Sequence, residues 1–359
     1  MSKLRVGIVG LEHYHATGWV ESVEQLADRL EIVALYDPDA ALGERLAPTH
    51  SDPHLSLALA PSYRAVPFET DLDALIRTHQ LDLAVVTLPP VAAPDAVARL
   101  AQAGIHLVVD KPGARTAADA ERAFSAARAA GVKVAVALTK RLGRGWQDAR
   151  AMVTSGRLGR LFSTEAIFVT SSVRVRDPAN QIFSREKSGG GVLHWLGVHD
   201  LDILLWLTGD RVVEVQAMAG TVNGEAIDVE DVISLAMRYA CGAIGTVHYA
   251  YALPRPGGEG YVALRGSGGS VKVFPNGNLT WIGAGSASEP LMVQETTYTT
   301  QSFPGYGAAG VACLDDLLRA IAEDRDPIAT GEDVTAALRI IDAAYEAAMT
   351  GRRVPVAAP

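Results

Sequence analysis

Three stretches of this chain carry side chains whose types and spacing suit chemistry. "GIVGLEHYHATGW", from Gly7 to Trp19, leaves an apolar run at Gly10 and then presents Glu12, His13 and His15. "IHLVVDKP" ends another apolar run on Asp110 and Lys111, with Pro112 fixing the chain beyond. "GGGVLHWLGVHDLD" follows three glycines with His194, Trp195, His199 and Asp202. A glycine that ends a strand and opens a helix aims that helix's N–H groups at a phosphate. A lysine part-desolvated at a strand end has a lowered pKa and can polarise a hydroxyl or carbonyl. A solvated strand-end lysine is the plain alternative.

A dinucleotide loop reads G-x-G-x-x-G. Here Gly10 is kept, while Glu12 and His15 stand at the second and third glycine positions. Glu12 places an anion near a diphosphate, which is unfavourable unless it points away; His13 and His15 can donate to phosphate instead. The other reading is a helix-capping loop with solvent-exposed histidines. No metal site is expected, because the two histidines have no Cys or carboxylate partner nearby in sequence. Asp37, 27 residues after Gly10, closes "EIVALYD". An acid at that strand end accepts from ribose hydroxyls and repels a 2′-phosphate, which favours NAD over NADP. Asp37-Pro38-Asp39 is equally an ordinary turn and cap. "TLPP" ends the strand at 81–89 on the side where a nicotinamide half would run, making Thr87 and Pro89 further cofactor candidates.

The surrounding elements must position these groups. "LRVGIVG" (4–10), "LEIVALYD" (30–37), "LDLAVVTLP" (81–89), "IHLVVDKP" (105–112) and "VKVAVALT" (132–139) read as parallel strands buried on both faces. Helical spacing fills the intervals, with Gly104 and Gly131 at C-cap positions. The alternation predicts an α/β, doubly wound Rossmann domain over 1–140. The Pro/Ser/His-rich stretch 48–64 breaks the rhythm and reads as a surface insertion. Beyond 141 a helix and a strand lead to the glycine-rich segment, with helix spacing from Val192 to Leu207. Runs of β character then follow one another without helices. They predict an α+β domain over 141–359 with an open, mostly antiparallel sheet. Thr330 and Gly351 cap a closing helix, the element placed to return to the first domain.

The chain has 359 residues, 48% hydrophobic and 20% charged, which suits a globular protein with two cores. Its net charge of −9, without a Lys/Arg cluster, disfavours a nucleic-acid partner. Cys241 and Cys313 are its two cysteines, so no disulfide framework is implied. No membrane span or signal segment is expected, and a cytoplasmic location is the default.

Four segments, taken in order, resemble the Gfo/Idh/MocA oxidoreductases of sugars and cyclitols. They are "RVGIVG", "VVDKPGA", the glycine-rich helix and "TGEDVTAALRIIDAAYEAAMTGRRVPV". "VVDKPGA" is similar to the family's Glu-Lys-Pro motif, with Asp110 in place of Glu. The resemblance spans nearly the whole chain. It implies NAD-dependent hydride transfer at a secondary hydroxyl or ketone of a sugar, cyclitol or related polyol. Lys111 and His199 would then be catalytic, and Asp110 and Lys111 would join Gly10, Glu12, His13, His15, Asp37, Thr87 and Pro89 around the cofactor.

One departure stands out. The family presents an Asp four residues before this His, on the same helical face. Here Trp195 holds that position, so the lysine and histidine survive and the carboxylate does not. Trp195 reads either as a wall of the substrate pocket or as a core aromatic, and His199 on residue context alone as a satisfied interior histidine. His194 projects about 100° around the helix from Trp195, and Asp202 falls near His199. Arg185, with Arg174, Arg176 and Lys187, forms a basic loop that is either solvated or turned to an acidic substrate. Lys140 and Arg141 follow the fifth long strand. The substrate-binding candidates are therefore Lys111, Arg141, Arg185, His194, Trp195, His199 and Asp202. Two other readings are a redox-neutral lyase or glycoside-cleaving enzyme using bound NAD for transient oxidation, and a non-catalytic sugar-binding relative. A homo-oligomer, dimer or tetramer, is expected through the exposed face of the second sheet.

Overall fold

The computed structural model describes residues 2–13, 15–45, 65–223, 226–251, 253–254, 257–285, 292–298 and 307–358, without the side chains of 43–45 and 174–175. The proposed insertion at 48–64 lies outside the described residues. The chain divides into two compact units, Met1–Thr139 with Gln301–Val334, and Lys140–Thr300 with Thr335–Pro359. The stretch 301–334, assigned on sequence to the second domain, therefore groups with the first. Its helix, Gly307–Glu323, packs its Cys313/Leu314/Leu317 side with helix His15–Glu24, and Val136 N–H donates to Ala329 O at 3.0 Å.

The first unit holds six parallel strands: β1 (Leu4–Val9), β2 (Leu30–Tyr36), β3 (Phe68–Glu69), β4 (Leu83–Val86), β5 (His106–Val109) and β6 (Val134–Val136). Their order is β3-β2-β1-β4-β5-β6, that of a Rossmann fold. The sheet is buried on both faces, with Val6, Ile8, Val85 and Val108 fully enclosed, as continuous apolar strands require. Register aligns Val9 with Val86 and Val86 with Val109. Gly10, Thr87 and Asp110, each one residue further, consequently share the carboxyl edge of the sheet. Asp37 follows the end of β2 on the same edge. β1 and β4 flank the point where strand order reverses, and ligands of open α/β sheets bind there.

The second unit is built on a nine-stranded sheet. Its strands are β7 (Leu161–Thr170), β8 (Val212–Gly220), β9 (Val232–Tyr239), β10 (Ile244–Ala250), β11 (Gly258–Gly266), β12 (Gly269–Val273), β13 (Leu279–Gly283), β14 (Val293–Thr296) and β15 (Val354–Pro355). The order is β14-β13-β12-β11-β7-β10-β9-β8-β15, and all pairs are antiparallel except β7 with β10. One face is core: Ile233, Leu235, Met237 and Tyr239 of β9 alternate with exposed neighbours. On the other face the register places Met218, Ile244 and Ile282, all exposed. Helices Arg144–Thr154 and Val198–Thr208 pack on one another. Among the described residues no helix is long and apolar enough to cross a membrane.

Candidate functional site

In the first unit the candidates converge on the carboxyl edge. Gly10 has φ +100°, and a Cβ there would lie 2.5 Å from Leu88 N. The turn into the helix thus demands glycine at this one position. Thr87 Oγ donates to the Gly10 carbonyl, and the Pro89 carbonyl accepts from Ala92 and Ala93 N–H at 2.8 and 2.9 Å. Asp37 is 4% exposed; its Oδ2 accepts Leu11 N–H at 2.7 Å and its Oδ1 accepts Asp39 N–H at 3.0 Å. Burial raises its pKa above the ordinary carboxylate value, against the lowering effect of those amides. The turn-and-cap reading of Asp37 is seen here, and the same side chain also holds the nucleotide loop through Leu11 N–H.

The loop itself departs from the sequence picture. Glu12 is exposed, but His13 is buried and His15 half-buried, so these are not two solvated histidines. His15 begins the helix His15–Glu24, and its backbone N–H donates to His13 Nδ1 at 3.2 Å. Asp110, 7% exposed, places Oδ2 2.6 Å from His15 Nδ1 and 3.7 Å from His13 Nδ1. Its other oxygen accepts Lys111 N–H at 2.9 Å. The carboxylate partner that the sequence did not show beside the histidines comes from β5. Burial works to raise the Asp110 pKa, yet His15, then His13 and Lys111, hold it below the ordinary carboxylate range. Lys111 is 5% exposed. It is not the solvated strand-end lysine of the plain alternative.

In the second unit the glycine-rich segment opens a helix through a wide turn. Residues Leu193–Gly197 form a π-helical turn before the α-helix Val198–Thr208, and Val198 N–H reaches the Leu193 carbonyl, five residues back. The uninterrupted α-helix expected from Val192 to Leu207 is therefore corrected over Leu193–Gly197. A carboxylate that the sequence did not reveal caps the entry to this turn. Glu230, 4% exposed, accepts Gly191 N–H at 2.8 Å, Leu193 N–H at 3.1 Å and the Tyr345 hydroxyl at 2.8 Å. It satisfies amides of the first turn from a separate element. A Cβ on Gly191 would lie 2.1 Å from Glu230 O, and one on Gly190 would lie 2.1 Å from Tyr345 Oη. The glycines make room for this clasp. "VEDV", two acids inside a strand-like run, was its available signal.

Within this π turn His194 is fully buried and Trp195 is 6% exposed, while His199 is half-buried. Asp202 is fully buried and paired through both oxygens with Arg141, at 3.0 and 2.5 Å. Arg141 is itself 5% exposed and lies over the Trp206 ring at 5.7 Å. Asp200, next to His199, takes Lys140 Nζ on one oxygen and the Tyr249 hydroxyl on the other. Burial raises its pKa, with Lys140 pulling the other way. Arg185 and Lys187 are exposed, Arg176 is half-buried, and the Arg174 side chain lies outside the described residues.

The dinucleotide is testable against these residues. Gly10 supplies the positive-φ turn that lets the β1 end pass close to the Thr87–Leu88 backbone, Asp37 supplies a buried acid at the β2 end, and the strand order is that of dinucleotide folds. These fit NAD. His13 and His15, within the modified loop, both approach Asp110.

Residues 4–138 match the oxidoreductase family with an NAD-binding Rossmann fold, and residues 146–272 match the GFO/IDH/MocA C-terminal domain. The fold and its nucleotide edge define an NAD-binding oxidoreductase. The chain belongs to the Gfo/Idh/MocA family. It is 25% identical over 355 residues to the rhizopine catabolism protein MocA of Rhizobium meliloti, covering 96% of this chain and 95% of that one. It is 23% identical to the 2,7-anhydro-N-acetylneuraminate hydratase of Escherichia coli, covering 82% of this chain and 73% of that one. The crystal structure of levoglucosan dehydrogenase with NADH and levoglucosan superimposes with a TM-score of 0.85 at 19% identity, over 99% of this chain and 100% of that one.

Proposed function

We propose that this enzyme oxidises a secondary hydroxyl of a sugar, cyclitol or related polyol, and reduces the corresponding ketone. The observation that carries the reading is Lys111, nine-tenths buried on the sheet edge that also bears Gly10 and Asp37. Bound NAD would supply the hydride acceptor. Lys111 polarises the reacting oxygen, stabilising the charge that grows on it. His199 exchanges the hydroxyl proton as general base or acid. Asp37 selects the unphosphorylated ribose and so favours NAD over NADP. Levoglucosan dehydrogenase, which shares the fold, supports a small sugar as substrate class. Arg141 and Asp202 serve this reading as a frame for the His199 helix. Met218, Ile244 and Ile282, exposed on one sheet face, support a homo-oligomer.

A second reading keeps the cofactor and ends without net redox change. Trp195, in the place of the family's carboxylate, and the hydratase relative favour it. Absorbance at 340 nm after adding NAD and a panel of polyols tests the first reading. Growth of NADH in proportion to polyol supports it. Product formed with catalytic NAD and no lasting rise transfers the assignment to the second.

A further inference from the structure

We propose that His13, His15 and Asp110 form a binding site for one divalent transition-metal ion. The parallel β1–β4–β5 arrangement brings Asp110 to the two histidines from 95 residues away. One ligand atom from each residue falls within a group no more than 4.8 Å across. His15 Nδ1 and His13 Nδ1 lie 2.6 and 3.7 Å from the same Asp110 oxygen. Bonds of ~2.0–2.1 Å in a tetrahedral site separate ligand atoms by roughly 3.4 Å, so the two distances bracket what an ion would impose. Shifts of under about 1 Å then close the site around it.

The donor chemistry narrows the ion. Two imidazoles and one carboxylate suit Zn2+, Co2+, Mn2+ or Fe2+ rather than the oxygen-only shells of Mg2+ and Ca2+. Three protein ligands leave a position for water or another ligand. The supporting contacts aim the donors. Lys111 N–H holds one Asp110 oxygen at 2.9 Å and leaves the other toward the histidines. His13 Nδ1 accepts the His15 backbone N–H at 3.2 Å, so an incoming ion takes that lone pair in place of the amide. The His15–Asp110 contact shares a proton that an incoming ion would release to solvent. An ion pair alone needs one histidine; the second stands edge-on to the first, with ring centroids 4.3 Å apart. The proposal does not rest on the dehydrogenase reading.

The test is direct binding. Untagged full-length protein, stripped with chelator and dialysed, is titrated with Co2+ while visible d–d absorption is followed. One equivalent per chain should give the bands of a low-symmetry N/O site, and Zn2+ should displace them. Loss of an outer-shell partner alone costs roughly 10–100-fold in metal affinity, so His13→Ala and His15→Ala should each cost at least about tenfold. His248→Ala, on β10 of the other unit, should leave the titration unchanged. Circular dichroism checks folding, and His13→Gln stands in where an alanine variant does not fold. Absence of d–d bands in the parent protein, or bands that survive both histidine substitutions, overturns the site.

Discussion

Asp110 Oδ2 meets His15 Nδ1 at 2.6 Å, joining the end of β5 to the first residue of the nucleotide-loop helix. The residue in the third-glycine position is therefore turned inward to the sheet edge. The same carboxylate, through its other oxygen, orients the backbone of Lys111. Loop and candidate catalytic lysine are thus positioned by one side chain.

Lys111→Ala should lower turnover on the order of 10²–10⁴-fold, the range for a positioned group acting on a reacting oxygen. NADH affinity, read by fluorescence titration, should change little. A loss confined to NADH affinity would make Lys111 a binding residue.

His199→Ala should also cost on the order of 10²–10⁴ in rate while the melting temperature stays near that of the parent. Trp195→Ala should behave differently. With 6% exposure its removal leaves a cavity worth about 3–5 kcal/mol, visible as a clear fall in melting temperature. A Trp195→Ala protein of unchanged stability would contradict its placement in the core.

Arg141→Ala should destabilise by about 3–5 kcal/mol, because fully buried Asp202 loses the partner at 2.5 and 3.0 Å. Replacing the pair together, Arg141→Met with Asp202→Leu, should recover much of the loss in urea unfolding. If the double variant is as weak as the single, the charge pair is not the source.

Glu230 gives a pH signature. Burial raises its pKa above the ordinary value, against hydrogen bonds from Tyr345, Gly191 and Leu193. The folded protein then holds this proton to higher pH than the unfolded chain. The stability it contributes is fully present below the unfolded glutamate pKa, about 4.3, and is lost as pH rises through the folded value. Urea midpoints should show the parent's advantage over Glu230→Gln shrinking from acid toward neutral pH. An advantage that grows with pH would reverse the sign.

The architecture was legible because periodicity reports burial. Continuous apolar runs marked β1, β2, β4, β5 and β6, and helix-free succession marked the second sheet. β3, two residues long, was too short to leave a period. At the site, Gly10 and Lys111 were readable from strand ends. The Asp110–His15 contact was not, because strand order and register rather than sequence distance bring those residues together. The Glu230 clasp was hidden for a similar reason: Glu230 sits 39 residues from Gly191. The Arg141–Asp202 pair was hidden too, because sequence shows a cation near a domain junction and not the acid that engages it.

Hydride transfer from a carbinol carbon is the central claim, and isotope tracing tests it most directly. A polyol substrate deuterated at the reacting carbinol carbon is turned over with NAD, and the reduced cofactor is analysed by mass spectrometry. The account predicts deuterium in NADH, one atom for each ketone formed. Product that accumulates with no deuterated NADH would contradict it.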